Sequence, residues 1–195
     1  MGYSLDPISD DCYEGTFCLK NKLGIKDEEK LREFEAAVTF AKISELEKDD
    51  RDFPVTPEGY KAIHRYIFED IYDWAGEYRT VDISKKGTSF AKCENIERLM
   101  TNCFLRLENN GYFKGFYRPR FVENTADLYQ TLNMIHPFRE GNGRAERVFI
   151  SQFIRRNGYY ADFSKVDEDE LMIATIKAAA GIRDFLVDVF SRIII

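Results

Sequence analysis

"HPFREGNGR", residues 136–144, follows a stretch of apolar periodicity and decides how the rest of the chain is read. Pro137 disfavours an α conformation at the residue before it, so a helix arriving from the N-terminal side ends at His136. Gly141 and Gly143 tolerate backbone angles that other residues resist and let a ligand approach the main chain closely. A second helix beginning near Asn142 to Arg144 presents unpaired N–H groups and the positive end of its dipole, which together form an anion site. Arg144 stands at its mouth, and Arg147, three residues on, lies on the same face.

The pattern on either side is helical. Phe121, Val122, Ala126, Leu128, Tyr129, Leu132 and Ile135 turn inward on a helix from about Pro119 to Ile135, and a helix from about Arg144 to Arg156 stops at Asn157-Gly158. Between Asp27 and Lys48, Leu31, Phe34, Val38, Ala41 and Leu46 predict an inward stripe. Thr56-Pro57-Glu58 is a helix start; that helix carries Ile63, Tyr66, Ile67, Asp70, Ile71 and Trp74 as far as Gly76. "RTVDISKKGTSF", 79–90, alternates and then turns at Ser84-Lys85-Lys86-Gly87, which predicts a β-hairpin lying against the helices or closing on a ligand. Another helix covers about Glu94 to Glu108, and Ser164 with Asp167 resembles a cap for one or two closing helices. The expected fold class is all-α with a small inserted hairpin.

The 195 residues suffice for a substantial core, and 16 Phe and 11 Tyr make it aromatic-rich. A net charge of −6 and the lack of a basic stripe argue against a nucleic-acid partner, although a local cation cluster can still hold a nucleotide. Four cysteines without a CxxC pair, beside two histidines, make a zinc site a poor expectation and reduced thiols in a cytosolic protein a good one. The first residues, MGYSLDPISDD, form neither a signal peptide nor a myristoylation pattern, and no apolar run is long enough to span a membrane.

Each residue of the loop has a plain reading: a helix cap, a turn, a solvated charge. Together they carry the parts of a phosphate chemistry. Two guanidiniums and backbone donors suit a polyphosphate. Glu140 is a hard oxygen ligand for a Mg²⁺ shared with it. His136, titrating near neutral pH, is a natural general base. Phe138 is expected in the core, anchoring the loop.

These residues, continued by Ala145-Glu146-Arg147, resemble the signature HxFx(D/E)GNGRxxR of Fic-domain protein adenylyltransferases. "IFEDIYDWAGEYRTVDISKKGTSF" is similar to the helix and hairpin flap before that signature, and "YEGTFCLKNKLGI", 13–25, to the family's N-terminal segment. The resemblance implies one Fic domain over 1–195, with a signature core at about 56–156 and closing helices at about 164–195. It implies transfer of AMP from ATP to a Ser, Thr or Tyr hydroxyl of a target protein. His136 would be the base and Glu140 the Mg²⁺ ligand. Gly141, Asn142, Gly143, Arg144 and Arg147 would bind the nucleotide, with Lys86 and Gly87 of the flap, and Ile83, Ser84 and Lys85 would dock the target.

Alternatives on the same fold are a kinase, for which a Lys would replace Gly143, and a transferase of another nucleotide or of phosphocholine. A non-catalytic peptide-binding module is the alternative from another class. Many relatives carry an inhibitory (S/T)xxxE(G/N) helix whose glutamate pairs with the second arginine. Ser164 to Glu168 fits until Asp169 stands in the last position, and Asp10 to Gly15 fits only at its end. The expectation is therefore the toxin half of a bacterial toxin–antitoxin pair, with a separate small antitoxin supplying the glutamate and a DNA topoisomerase subunit as a candidate target. A host-delivered effector is the alternative if the chain is part of a longer one.

Overall fold

The computed structural model describes residues 11–49, 51–85 and 88–195. Its helices are α1 (Glu28–Lys48), α2 (Pro57–Phe68), α3 (Ile96–Asn109), α4 (Arg118–Ile135), α5 (Asn142–Arg156), α6 (Glu168–Ala179) and α7 (Asp184–Ile193). Between α2 and α3 lie two short antiparallel strands, β1 (Ser84–Lys85) and β2 (Thr88–Ser89), paired Ser84 to Ser89 and Lys85 to Thr88.

Helices α4 and α5 carry the centre. All seven inward positions predicted on α4 are buried, and α5 buries Ala145, Phe149, Ile150, Phe153 and Ile154. Helix α2 packs against α5, α3 against α4, and α6 and α7 against each other and against α4. The middle is aromatic: Tyr60 stacks on Phe138 with ring centroids 5.5 Å apart and meets Phe149 edge-on at 5.3 Å. Each such ring contributes about 1.5–3 kcal/mol by leaving water.

Four sequence expectations need correction. On α1 the buried positions are Leu31, Glu35, Thr39 and Leu46, whereas Phe34 and Ala41 are exposed and Val38 is half-buried. Two of the four are polar, because this face meets an arginine of the loop described below. Helix α2 ends at Phe68 rather than Gly76: Ile71 and Tyr72 N–H groups both turn back to the Phe68 carbonyl. Their side chains stay buried, which explains why the apolar pattern continued. The hairpin is shorter than 79–90, since Arg79 and Asp82 bond to other elements instead of across the ladder. Asp167, not Ser164, caps α6, accepting from the Glu170 N–H, while Asp162 accepts from Ser164.

Candidate active site

The loop between α4 and α5 is held open by its own backbone. His136 ends α4 in the left-handed region (φ 48°, ψ 62°), its N–H still reaching the Leu132 carbonyl. Gly141 starts α5 at φ +79°. A Cβ there would lie 2.1 Å from the Phe68 ring, so glycine is required twice over. Gly143 is different: it sits in ordinary helical geometry, and a Cβ would meet nothing nearer than Arg147 Nη1 at 3.6 Å. The expectation of unusual backbone angles holds for Gly141 and not for Gly143, whose bareness leaves room in front of the helix end.

Asn142 works inward. Its Oδ1 accepts from the Phe138 N–H and its Nδ2 donates to the Phe138 carbonyl, both at 2.8 Å, stapling the loop. Phe138 is fully buried, stacked 3.8 Å from His64. Among the described residues no side chain caps α5, which leaves its first turn facing an open space.

That space is a cavity of about 400 Å³, within the usual range for a small-molecule site. Lys85, Thr88 and Phe90, with the His136 ring stacked on Phe90, form one wall; Glu140, Gly141, Gly143, Arg144 and Arg147 form the floor. Helix α6 supplies a second wall with Glu168, Asp169, Leu171, Met172 and Ile176. The structure thus gathers the predicted loop residues around one cavity, apart from the Asn142 side chain. Of the flap residues, Lys85 borders it, Ser84 pairs in the ladder, and Ile83 is turned inward at 5% exposure. Lys86, Gly87 and Asp10 lie outside the described residues.

Burial governs the charges. His136 is 6% exposed, its ring stacked on Phe90 with centroids 3.8 Å apart, and Nδ1 donates to the Asn133 carbonyl at 3.0 Å. Burial, with smaller contributions from Lys85 and Arg79, lowers its pKa to about 3 rather than leaving it near neutral. The ring is therefore neutral at pH 7, with the proton on Nδ1 and the lone pair on Nε2. Glu140 is pushed upward, first by burial and then by Glu35, while the Gly141 N–H (2.8 Å) and Arg144 (3.6 Å) favour its charged form. Glu146, between the two arginines in sequence, is buried, and burial pushes its carboxyl well above the usual range while Arg147 opposes the shift.

A search of protein families matches residues 54–154 to the Fic/DOC family. The chain belongs to the Fic/DOC family. Relatives include the protein adenylyltransferase VbhT of Bartonella schoenbuchensis, 34% identical over 94% of this chain and 38% of that protein. The "probable protein adenylyltransferase" y4lH of Sinorhizobium fredii is 34% identical over 90% of this chain and 89% of that one. The chain thus spans well under half of VbhT and nearly all of y4lH. Among solved structures, the BepC effector of Bartonella tribocorum with bound AMPPNP superposes with a TM-score of 0.88 at 28% identity, covering 95% and 96% of the two chains.

Several residues of this Fic site escaped the sequence reading. Arg79, whose side chain is fully buried, donates to the carbonyls of His136 (2.8 Å), Val81 (2.6 Å), Ala91 (2.5 Å) and Ile135 (3.3 Å). It ties the base of the hairpin to the end of α4, where helix carbonyls are otherwise unmet. His64 donates from Nε2 to the Glu140 carbonyl and accepts the Gly76 N–H on Nδ1, each at 2.9 Å. Glu35 and Thr39 reach Arg144 from α1. An isolated arginine or glutamate carries no local pattern, so only the fold reveals these partners. Glu168, left aside on its imperfect motif, lies 3.5 Å from Arg147, although 89% of its side chain is exposed. Glu14 is exposed and does not border the cavity.

Proposed function

We propose that this Fic protein transfers AMP from ATP to a hydroxyl of a target protein. The observation that carries the reading is a buried imidazole on the wall of a cavity whose floor is the N-terminus of α5 flanked by two arginines. Two relatives named as adenylyltransferases and a structural neighbour holding an ATP analogue support it. In this reading His136 Nε2 takes the proton of the target hydroxyl. The hydroxyl oxygen bonds to the α-phosphorus, the α–β phosphoanhydride bond breaks, and pyrophosphate leaves. The first turn of α5 and Arg144 and Arg147 hold the phosphates, and the apolar α6 wall offers a surface for the flat base. Fixed donors of this kind suit a reaction that consists mainly of positioning and charge stabilisation.

Among the described residues no group of three His, Cys, Asp or Glu side chains could hold a metal alone. Glu140 as a single carboxylate on the cavity fits a Mg²⁺ that shares its ligands with phosphates, and such an ion would neutralise phosphate charge. The flap edge at Ser84 and Lys85 is where a target segment would align by strand addition. A separate antitoxin placing a carboxylate at Arg147 would exclude the terminal phosphate; the weak, exposed Glu168 contact leaves that arginine open to such competition. The described helices include none long and apolar enough to cross a membrane, and action in the bacterial cytoplasm is part of this proposal.

The test is incubation of the purified chain with Mg²⁺ and bacterial lysate, using ATP labelled at the α- or γ-phosphate. Label on a protein band from α-labelled ATP alone is the expected result. Label from the γ-position alone would make the protein a kinase, and label from neither would favour another donor or a binding module.

A further inference from the structure

Arg144 is caged from behind. On α1, Glu35 Oε1 lies 2.5 Å from Arg144 Nη2, and Thr39 Oγ1 accepts from Nη1 at 3.2 Å. The Phe68 ring supports the guanidinium with its centre 4.8 Å away. Glu35 is itself fixed: its other carboxylate oxygen accepts from the Tyr72 hydroxyl, and Thr39 Oγ1 donates to the Glu35 carbonyl at 2.8 Å. Glu35 is 8% exposed and does not line the cavity that Arg144 lines.

A carboxylate close to an anion site is at first sight a fault, because its charge opposes the phosphate. Here one oxygen is held by Arg144 and the other by the Tyr72 hydroxyl, and Glu35 itself does not border the cavity. An arginine has a long, rotamer-rich side chain, and holding it in one orientation before the ligand arrives removes an ordering cost from binding. We propose that Glu35, reaching across from α1, is a positioning residue that presents the Arg144 guanidinium to the second phosphate of the nucleotide. Glu35 touches neither substrate nor reacting atoms; it acts through Arg144. The inference rests on the nucleotide reading above and adds a residue outside the signature to it. It also explains why α1 buries Glu35 and Thr39 while leaving Phe34 and Phe40 in solvent.

The test is calorimetric titration of ADP and AMP into the purified chain and its variants, with a thermal melt on each. Glu35→Leu removes the clamp, and Glu35→Gln keeps a hydrogen-bonding group of the same shape. Expected is a loss of ADP affinity on the order of tenfold for Glu35→Leu, as for coupled neighbouring groups. AMP affinity should change less than about twofold, Glu35→Gln should recover most of the loss, and Glu35→Leu should add nothing once Arg144→Gln is present. Unchanged or tighter ADP binding in Glu35→Leu overturns the proposal, since the acid would then merely oppose phosphate. Equal losses for ADP and AMP, or additive losses with Arg144→Gln, overturn it in favour of a general structural role. Absence of both ADP and AMP binding in the unaltered chain is the separate outcome that removes the nucleotide reading itself.

Discussion

The chain's two histidines have nearly the same surroundings, but only one of them borders the cavity. His64 and His136 are both buried, both stacked on a phenylalanine with ring centroids 3.8 Å apart, and both pushed by burial to a pKa of about 3. His64 gives each ring nitrogen to the backbone, joining α2 to the Glu140 carbonyl and the Gly76 N–H. His136 commits Nδ1 to the Asn133 carbonyl and stands on the cavity wall. A depressed pKa therefore does not tell the two histidines apart. Placement does: one ring is a strut inside the fold, and the other meets the place where a ligand fits.

The largest effect expected from this contrast is on folding. His64→Ala removes a buried ring and two hydrogen bonds, and should cost about 3–5 kcal/mol, the range for deleting a buried aromatic; denaturant unfolding measures it. A loss under about 1 kcal/mol would end the idea of a strut. Next comes the loop that both rings frame. Gly141→Ala forces a side chain into the left-handed region and against Phe68, and should cost at least about 1–2 kcal/mol. Gly143→Ala should melt within a degree or two of the parent chain while weakening nucleotide binding.

Acid weakens the fold through both histidines. Both folded-state values lie below the ordinary histidine value of about 6.5, so the unfolded chain binds more protons between about pH 3 and 6.5. The stability they contribute is complete above that window and falls with pH inside it, by about 1.4 kcal/mol per pH unit per histidine. Glu140 and Glu146, shifted upward by burial, act in the opposite direction. The clean comparison is thus the unfolding slope of the parent against His64→Phe, which should be shallower by one histidine's share between pH 4 and 6. An unchanged slope would mean that His64 titrates normally. For transfer, the acid limb of the pH–rate profile should lie below the ordinary histidine range. The smallest effect belongs to Glu168: its contact with Arg147 is exposed, so Glu168→Gln should tighten ATP binding about fivefold or less. A much larger gain would make that contact a true restraint.

Much of this site was legible in the sequence because it is local. Residues 136–147 hold the imidazole, the carboxylate, both arginines and the glycine turn within one contiguous run, and the α4 and α5 periodicities that flank it were clear. The parts that were not legible are long-range. Glu35 precedes Arg144 by over a hundred residues in sequence, and a helix with polar residues on its buried face defeats a reading based on apolar spacing. Trp74 and Ile71 prolonged the apparent α2 because a turn can bury side chains as well as a helix does. Arg79 read as a strand residue because no local pattern shows that it caps a distant helix end.

The most direct test sets His136→Ala beside His64→Ala, reading transfer from α-labelled ATP and the melting temperature on the same preparations. Expected is a loss of transfer on the order of 10²–10⁴ for His136→Ala with a smaller drop in melting temperature than His64→Ala, which gives up two hydrogen bonds to the backbone and a more deeply buried ring. Transfer by His136→Ala at the parent rate would contradict the proposed role of His136.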